Sequence, residues 1–290
     1  MNPDSISFVI PAYNEGEKIG QIVHTLRDLY PKSEIIVVDD GSQDDTGKRA
    51  KEAGAHVITH PYNIGNGAAV KTGIRRATGE VLVFLDADGQ HRPEDVGRLL
   101  EYMPRYDMVV GARRSQHRSS WVRSLANKAY NLLASYVTKY RIEDLTSGFR
   151  VVKASAVYRF LYLLPNTYSY PSTITIALIR SGRSVKYVPI EATPRRVGSS
   201  NIRLVRDGLR FFLIILRICT LFSPLRVFLP VSAALFLTGL SYYGYTFFLY
   251  HRFTNMSALL LSTSLLIFML GLISEQICQM RFERSESSRR

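Results

Sequence analysis

The sequence predicts an α/β protein whose doubly wound, mostly parallel sheet is followed by an interfacial amphipathic helix and a two-helix transmembrane hairpin. Two observations carry this prediction. Along residues 6–113, strand patterns alternate with helical patterns, which is the order of a parallel sheet. Near the end of the chain, the stretches 227–250 and 253–274 are almost continuously apolar and contain no charged residue. Each is longer than the roughly 20 residues that span a bilayer core.

The elements of the predicted sheet follow one another in order. Short apolar runs indicate buried strands, and apolar residues three or four positions apart indicate helices. Strands are expected at 6–13, 33–42, 56–60, 81–89 and 107–113, and helices at 17–29, 46–53, 68–77 and 93–102. Three of these strands end in polar clusters, at Tyr13–Glu15, Asp39–Ser42 and Asp86–Asp88. Because ligands of such sheets bind beyond the carboxyl ends of the strands, the sequence predicts a site at that edge.

The whole chain is expected to divide into five segments. They are an α/β domain at 1–201, the interfacial helix at 202–222, transmembrane helices at 227–250 and 253–274, and a basic tail at 275–290. In the interfacial segment, arginines recur at helical spacing opposite an apolar face, which is typical of a helix lying in the headgroup region. Two alternatives stay open: the apolar runs form buried core helices, or the amphipathic helix packs on the α/β domain.

The distribution of arginines predicts the orientation of the chain in the membrane and the kind of partner that it contacts. The net charge is +13, and the last 96 residues contain 12 arginines against four acidic residues. Both flanks of the hairpin are basic, so both should face the cytoplasm. We therefore expect an integral membrane protein with two spans, whose α/β domain and C-terminus are cytoplasmic. The two cysteines and the absence of a signal-peptide pattern at the N-terminus agree with that compartment. Arginines beside membrane spans favour anionic headgroups, so no nucleic-acid partner is expected.

Asp86 and Asp88 form the most informative pair. They follow the apolar run 81–85 and lie two positions apart, so in an extended segment both carboxylates point to the same side. Such a pair can be a turn or helix cap, a general acid and base, or the oxygen ligands of a divalent cation. A cation would remove the repulsion between the two charges, and Gln90 would add a neutral oxygen ligand.

The motifs around this pair suggest a family. PAYNE, VDDGS, N-x-G-x-G, DADGQ and GAR occur in this order, and the set resembles the family-2 glycosyltransferases over roughly residues 5–205. DLTSGFR (Asp144–Arg150) and PRRVGSSNIR (Pro194–Arg203) are similar to the subfamily of dolichol-phosphate mannose synthases and bacterial polyprenyl-phosphate glycosyltransferases. The resemblance implies a glycosyltransferase A type, Rossmann-like fold for residues 1–201, which would bind a nucleotide-sugar donor linked to GDP or UDP.

The resemblance also implies roles for individual residues. The nucleotide-sugar would be bound by Pro11, Tyr13, Glu15, Val38, Asp40, Asp86, Ala87, Arg113 and Arg195. The acceptor phosphate would meet Arg123 and Arg195, and Mg²⁺ or Mn²⁺ would be held by Asp88 and Gln90. The catalytic residues would be Asp86, Asp88, Arg113 and Arg123. The chain departs from the family at Asn66 and Asn201, where lysine is common.

The implied reaction is the inverting transfer of one hexose, from a donor of the GDP-mannose or UDP-glucose type, to a membrane polyprenyl or dolichyl phosphate. An acceptor phosphate needs no general base, because its second pKa is roughly 6. The mechanism would then depend on positioning and charge. His91 and His117 are the candidate bases for an alcohol acceptor, but we expect both to be loop or surface residues.

Two other functions are alternatives for this sequence. A processive or other membrane glycan synthase of the same fold would carry a Q-x-x-R-W motif, whereas the only tryptophan, Trp121, lies in SSWVRS. A non-catalytic scaffold for lipid-sugar translocation would not be expected to keep the acidic motifs intact. The sugar, the acceptor length and a homo-oligomeric state stay open.

Overall fold

The structure, a computed structural model, describes residues 5–113, 128, 130–132, 134–136, 138–167, 169–191 and 223–287, without the side chains of 281–287. The chain forms two compact units, Met1–Asp207 and Gly208–Arg290. The predicted interfacial helix at 202–222, together with Arg123, Arg195 and Asn201, lies outside the described residues.

The first unit contains a seven-stranded sheet with helices between its strands. The strands are β1 (Ile6–Ala12), β2 (Glu34–Asp39), β3 (His56–Thr59), β4 (Val81–Phe84), β5 (Met108–Arg113), β6 (Arg150–Lys153) and β7 (Val185–Ile190). The helices are α1 (Gly16–Leu29), α2 (Thr46–Glu52), α3 (Asn66–Arg76), α4 (Val96–Leu100), α5 (Ala154–Val157) and α6 (Tyr170–Arg180), with 3₁₀ turns at Pro93–Asp95 and Tyr158–Leu163.

The strand order is β3-β2-β1-β4-β6-β5-β7. All neighbouring strands pair in parallel except β6, which is antiparallel to both β4 and β5. The predicted mostly parallel sheet is therefore confirmed. β6 and β7 were not predicted, and the expected helix at 93–102 is instead a 3₁₀ turn followed by the five-residue α4.

Both faces of the sheet are covered, which explains why its central strands are apolar throughout. Every residue of β1 is buried. Phe8 and Ile10 belong to a core cluster that includes residues of α1 and α4. On the opposite face, a Cβ added at Gly73 of α3 would overlap Val9. The sheet is thus doubly wound, and the carboxyl ends of β1, β2 and β4 lie side by side.

The second unit contains two long apolar helices, α7 (Leu225–Tyr250) and α8 (Asn255–Ser287). They pack closely where glycine permits it, since a Cβ at Gly239 would lie 3.0 Å from Leu260. Ser232 donates a hydrogen bond to the Ser264 carbonyl at 2.9 Å. His251 adopts a left-handed conformation (φ 47°) after α7, in the predicted turn.

Both helices are long and apolar enough to cross a membrane, over Leu225–Tyr250 and Asn255–Met280. Their outer faces carry large apolar side chains that the protein leaves exposed, such as Phe248 at 82% and Leu266 at 64%. A pair of buried core helices would not show this exposure, so the hairpin prediction is supported. The helical backbone continues past the predicted end at 274, and residues 275–287 extend α8.

Candidate functional site

A cavity of about 320 Å³ opens at the carboxyl edge of the sheet. It brings together residues at or just after the carboxyl ends of β1, β2, β4 and β5, with residues of the loop before α3 and of the segment before β6. Its lining contains Pro11, Tyr13, Glu15, Asp40, Asn66, Asp86, Ala87, Asp88, Gln90, His91, Arg113, Thr146 and Gly148, among others. A more open groove between α1 and α2, of about 610 Å³, contains none of the predicted site residues.

Most of the predicted site residues meet in this cavity. Of those within the described residues, Val38 alone is absent from the lining, because its side chain is fully buried in β2 on the face covered by α3. A place for Val38 in a nucleoside pocket therefore stays a prediction. The roles of Arg123 and Arg195, which lie outside the described residues, stay predictions as well.

The loops after β1 and β2 hold each other in place. The Asn14 backbone N–H donates to Ser42 Oγ at 3.0 Å, and the Gln43 N–H donates to Asn14 Oδ1 at 2.9 Å. Asn14 has a φ of 53°, a left-handed conformation that asparagine tolerates better than most residues. These reciprocal contacts fix Tyr13 and Glu15 at the cavity edge.

Asp40 lines the cavity, but its carboxylate is hydrogen-bonded within the protein. Oδ1 pairs with His60 Nδ1 at 2.6 Å and accepts from the Ile64 N–H at 3.0 Å, and Oδ2 accepts from the Gly65 N–H at 2.8 Å. The other ring nitrogen of His60 contacts Thr72 Oγ1 at 2.9 Å. Asp40 therefore orders the glycine-rich loop that leads into α3.

Asp86 is in a different environment. Among the described residues, no hydrogen-bond donor reaches its carboxylate, and His91 Nε2 lies 3.9 Å from Oδ2. Burial raises the pKa of Asp86 to about 6, and the neighbouring charge of Asp88 adds to that rise. The charges of Arg150 and Arg113 oppose it. A Cβ added at Gly148 would overlap this carboxylate, so Gly148 gives Asp86 its space.

Asp88 and Gln90 form a compact turn at the tip of this loop. Asp88 Oδ1 accepts from the Gln90 N–H at 3.0 Å, and Oδ2 accepts from Gln90 Nε2 at 2.6 Å. Gly89 between them has a φ of 69°, which glycine adopts without strain. Each carboxylate oxygen keeps a second lone pair for a further partner.

These residues fit a hard divalent cation that also binds substrate phosphates. Within the described residues, no group of three or more His, Cys, Asp and Glu side chains is arranged to hold a metal, so these residues alone do not form a complete cage. Mg²⁺ and Mn²⁺ sites of this kind use one or two carboxylates and take further oxygens from water and substrate phosphates. Burial, and then the charge of Asp88, raise the pKa of Asp86, and a bound cation would oppose that rise.

His91 is buried at 5% exposure and stacks on Phe149, with ring centroids 5.3 Å apart. His91 lies in the loop between β4 and the 3₁₀ turn, as expected, but its ring is buried, so a surface position is wrong. His117 lies outside the described residues. Burial lowers the pKa of His91 to about 4, so the ring is neutral at pH 7. Its Nδ1 has no hydrogen-bond partner among the described residues, and this orphaned atom fits a site that is completed by a ligand.

Arg113 supplies the positive side of the cavity. Its guanidinium makes a two-pronged contact with Asp144, from Nε to Oδ2 at 2.8 Å and from Nη2 to Oδ1 at 3.0 Å. Nη2 also donates to Thr146 Oγ1 at 2.6 Å. Although burial alone raises the pKa of Asp144, the hydrogen bond and charge of Arg113 lower it below its usual value. Asp144 therefore orients Arg113 and is a weak base.

Several residues of the site were not predicted, because the residues that they contact lie far away in the sequence. Asp144, Thr146, Gly148 and Arg150 all belong to the motif DLTSGFR, which supported the family resemblance without being given roles. Arg150 is fully buried and donates to the Pro171 carbonyl at 2.8 Å and to Thr175 Oγ1 at 3.0 Å. Its charge lowers the pKa of Asp86 and so supports the ionised form of that carboxylate.

Comparison with known proteins gives two family matches. The model of glycosyl transferase family 2 matches residues 7–162, and the model of the GtrB C-terminal hairpin matches residues 223–280. The first covers the sheet up to the 3₁₀ turn after α5, including the cavity residues described above. The second covers α7 and most of α8.

Among similar proteins are an undecaprenyl-phosphate mannosyltransferase of Micrococcus luteus and a polyprenol monophosphomannose synthase of Mycolicibacterium smegmatis. The first is 32% identical over 209 residues, covering 67% of this chain and 86% of the relative. The second is 32% identical over 211 residues, covering 67% and 79%.

A similar fold is seen in glucosyl-3-phosphoglycerate synthase from Mycobacterium tuberculosis, solved with Mn²⁺, UDP and glucosyl-3-phosphoglycerate. The TM-score is 0.59 at 22% identity, and the match covers 74% of this chain and 78% of that one. At this identity the likeness shows the fold alone.

Proposed function

The chain belongs to glycosyl transferase family 2, and on that premise we propose that it transfers one hexose from a nucleotide-sugar to a polyprenyl or dolichyl phosphate. The observation that carries the proposal is the cavity at the sheet edge. Its lining contains the carboxylates of Asp86 and Asp88 together with the guanidinium of Arg113, which Asp144 orients. The names of the two relatives, one acting on undecaprenyl phosphate and one making polyprenol monophosphomannose, support the acceptor class.

The donor would bind with its diphosphate between the acidic and basic sides of the cavity. Asp88 and Gln90 would hold Mg²⁺ or Mn²⁺, which supplies charge stabilisation for the departing diphosphate. The complex of the fold neighbour with Mn²⁺ and UDP agrees with this choice of ion. Arg113 would stabilise the same developing negative charge from the opposite side, in a geometry set before the reaction begins.

A phosphate acceptor suits the acid–base properties of the cavity. The pKa of Asp144 is lowered and that of His91 is about 4, so neither is a good general base near pH 7. Asp86, with a pKa of about 6, owes part of that rise to Asp88, and a bound cation would counter it. A dianionic phosphate oxygen can attack the anomeric carbon without losing a proton. The bond to the donor diphosphate then breaks, the diphosphate leaves with the electron pair, and the configuration inverts.

The two apolar helices would keep the enzyme at the membrane that contains its acceptor. A polyprenyl chain stays in the bilayer, so its phosphate is presented at the surface. We propose that α7 and α8 span the membrane and that the basic flanks keep the sheet domain and the C-terminus cytoplasmic. Arginines between 203 and 226 would contact anionic headgroups.

The test is a product assay with the full-length protein in detergent or nanodiscs. Radiolabelled GDP-mannose, UDP-glucose and UDP-N-acetylglucosamine are each incubated with a polyprenyl phosphate and Mg²⁺ or Mn²⁺. One donor should give a lipid product carrying a single sugar, and free polyprenol should give none. Comparable turnover of polyprenol would contradict the phosphate acceptor, and a ladder of longer products would favour a processive synthase. No transfer from any sugar donor, by protein that binds nucleotide, would favour the scaffold.

A further inference from the structure

Lys18 of α1 contacts the loop after β4 that contains Asp86 and Asp88 (the acidic loop), although the two segments are far apart in the sequence. Its Nζ donates a hydrogen bond to the Asp88 backbone carbonyl at 2.7 Å. Its side chain lies along the turn, since a Cβ added at Gly89 would come within 3.2 Å of Lys18 Cδ. The alkyl part of the lysine therefore covers Gly89 while the ammonium holds the carbonyl before it.

The position of Lys18 is unfavourable for the helix itself. It is the third residue of α1, and a cation in the first turn opposes the positive end of the helix dipole. A lysine placed there gains its stabilisation from the contact with Asp88. The contact fixes a turn that depends otherwise on Gln90, whose N–H and Nε2 both bind the Asp88 carboxylate.

We propose that Lys18 is a positioning residue that holds the Asp88–Gln90 turn in the conformation that binds the cation–diphosphate part of the donor. This inference rests on the proposed function. The lysine acts through the Asp88 carbonyl, so the carboxylate lone pairs that Gln90 does not use are left for the cation. Its positive charge also reduces the repulsion between the acidic loop and an anionic diphosphate.

The test measures binding of Mn²⁺ in the presence of UDP and, in parallel, of GDP, by the electron paramagnetic resonance signal of free Mn²⁺. Lys18→Met keeps the alkyl chain but removes both charge and donor, and it should weaken the binding of Mn²⁺ with nucleotide about tenfold, as expected for a lost charged hydrogen bond. Lys18→Arg keeps charge and donor and should restore most of the affinity. Hydrogen exchange of peptides covering 86–91 should be faster in the methionine variant, because the turn is less restrained.

The matched control is Lys48→Met. Lys48 is also the third residue of its helix, α2, and is exposed, so this variant should bind as the wild type does. If Lys18→Met does not fold, Lys18→Gln, which is uncharged and shorter, carries the same expectation. Unchanged or tighter binding in the uncharged variants would overturn the inference, and so would a wild type that binds Mn²⁺ with neither nucleotide. Failure of the proposed function is separate, because it appears as absence of transfer in the product assay.

Discussion

Two strands of the sheet end in a pair of acidic residues, yet the two pairs have different surroundings. After β2, Asp40 accepts hydrogen bonds from backbone N–H groups of the following loop and pairs with His60. After β4, Asp86 receives no hydrogen bond from any described residue, and within the same residues the Asp88 carboxylate accepts hydrogen bonds from Gln90 alone. A carboxylate whose oxygens are satisfied within the chain stabilises the fold, whereas one left unsatisfied is available to a ligand.

The largest effect is expected from Asp88→Asn. Loss of the charged cation ligand should lower transfer by at least ~10²–10³-fold, while the thermal midpoint changes little because few internal contacts depend on it. Transfer rates and scanning fluorimetry of the same preparations would be compared. Full activity of the variant, or full wild-type activity in excess EDTA, would remove the cation from the account.

A second variant tests whether Arg123 acts on the acceptor phosphate rather than on the donor bound at the acidic residues. Arg123→Ala should lower kcat/KM for polyprenyl phosphate by ~10- to 100-fold, because a charged hydrogen bond to phosphate is worth roughly 1.5–3 kcal/mol. Donor affinity, measured by calorimetry, should stay nearly unchanged. If donor affinity falls as much as acceptor efficiency, Arg123 belongs to the diphosphate side instead.

A substitution in the acidic pair after β2 should lower the stability of the folded protein. Asp40→Asn places an amide group where the carboxylate accepts the Gly65 N–H, and we expect the thermal midpoint to fall by about 5 °C. Some transfer should persist at temperatures where the variant is folded. Asp45→Asn, at an exposed aspartate that makes no capping hydrogen bond to α2, is the control and should leave the midpoint unchanged. An Asp40→Asn variant that is as stable as the wild type but inactive would show that Asp40 serves ligand binding rather than the fold.

The smallest effect concerns pH. The pKa of Asp86 is raised to about 6 in the folded protein. At a pH between the pKa of Asp86 in the unfolded chain and 6, the folded state therefore keeps a proton that the unfolded state has lost. Lowering the pH from 7 through 6 therefore favours folding at this residue. Asp86→Asn cannot ionise and should be more stable than wild type at pH 7 in EDTA. This advantage should shrink toward pH 5, and a constant difference would show that Asp86 does not carry the raised pKa.

The sequence predicted those parts of the fold that local patterns specify. Apolar runs located β1 to β5, and two uncharged stretches located α7 and α8. β6 and β7 were missed, because both join the sheet through strands distant in the sequence: β6 lies antiparallel between β4 and β5, and β7 pairs with β5. The helix expected at 93–102 was predicted too long, since residues 93–95 form a 3₁₀ turn and residues 101–102 form a turn.

For the site, the sequence predicted which residues gather but not how they are satisfied. Asp40 and Asp86 follow similar apolar runs, and only the loop at 60–65 shows that Asp40 is occupied within the fold. The contact of Arg113 with Asp144 spans 31 positions, and that of Lys18 with Asp88 spans 70. No local pattern predicts such contacts, because they depend on which strand ends become neighbours.

The most direct test of the central claim is to locate the cation. Anomalous diffraction at the manganese edge, from crystals grown with Mn²⁺ and the nucleoside diphosphate of the active donor, would show its position. The account predicts a peak within about 2.5 Å of an Asp88 carboxylate oxygen, with diphosphate oxygens completing the shell. A peak beside Asp39 or Asp40, or bound nucleotide with no peak near Asp88, would contradict it.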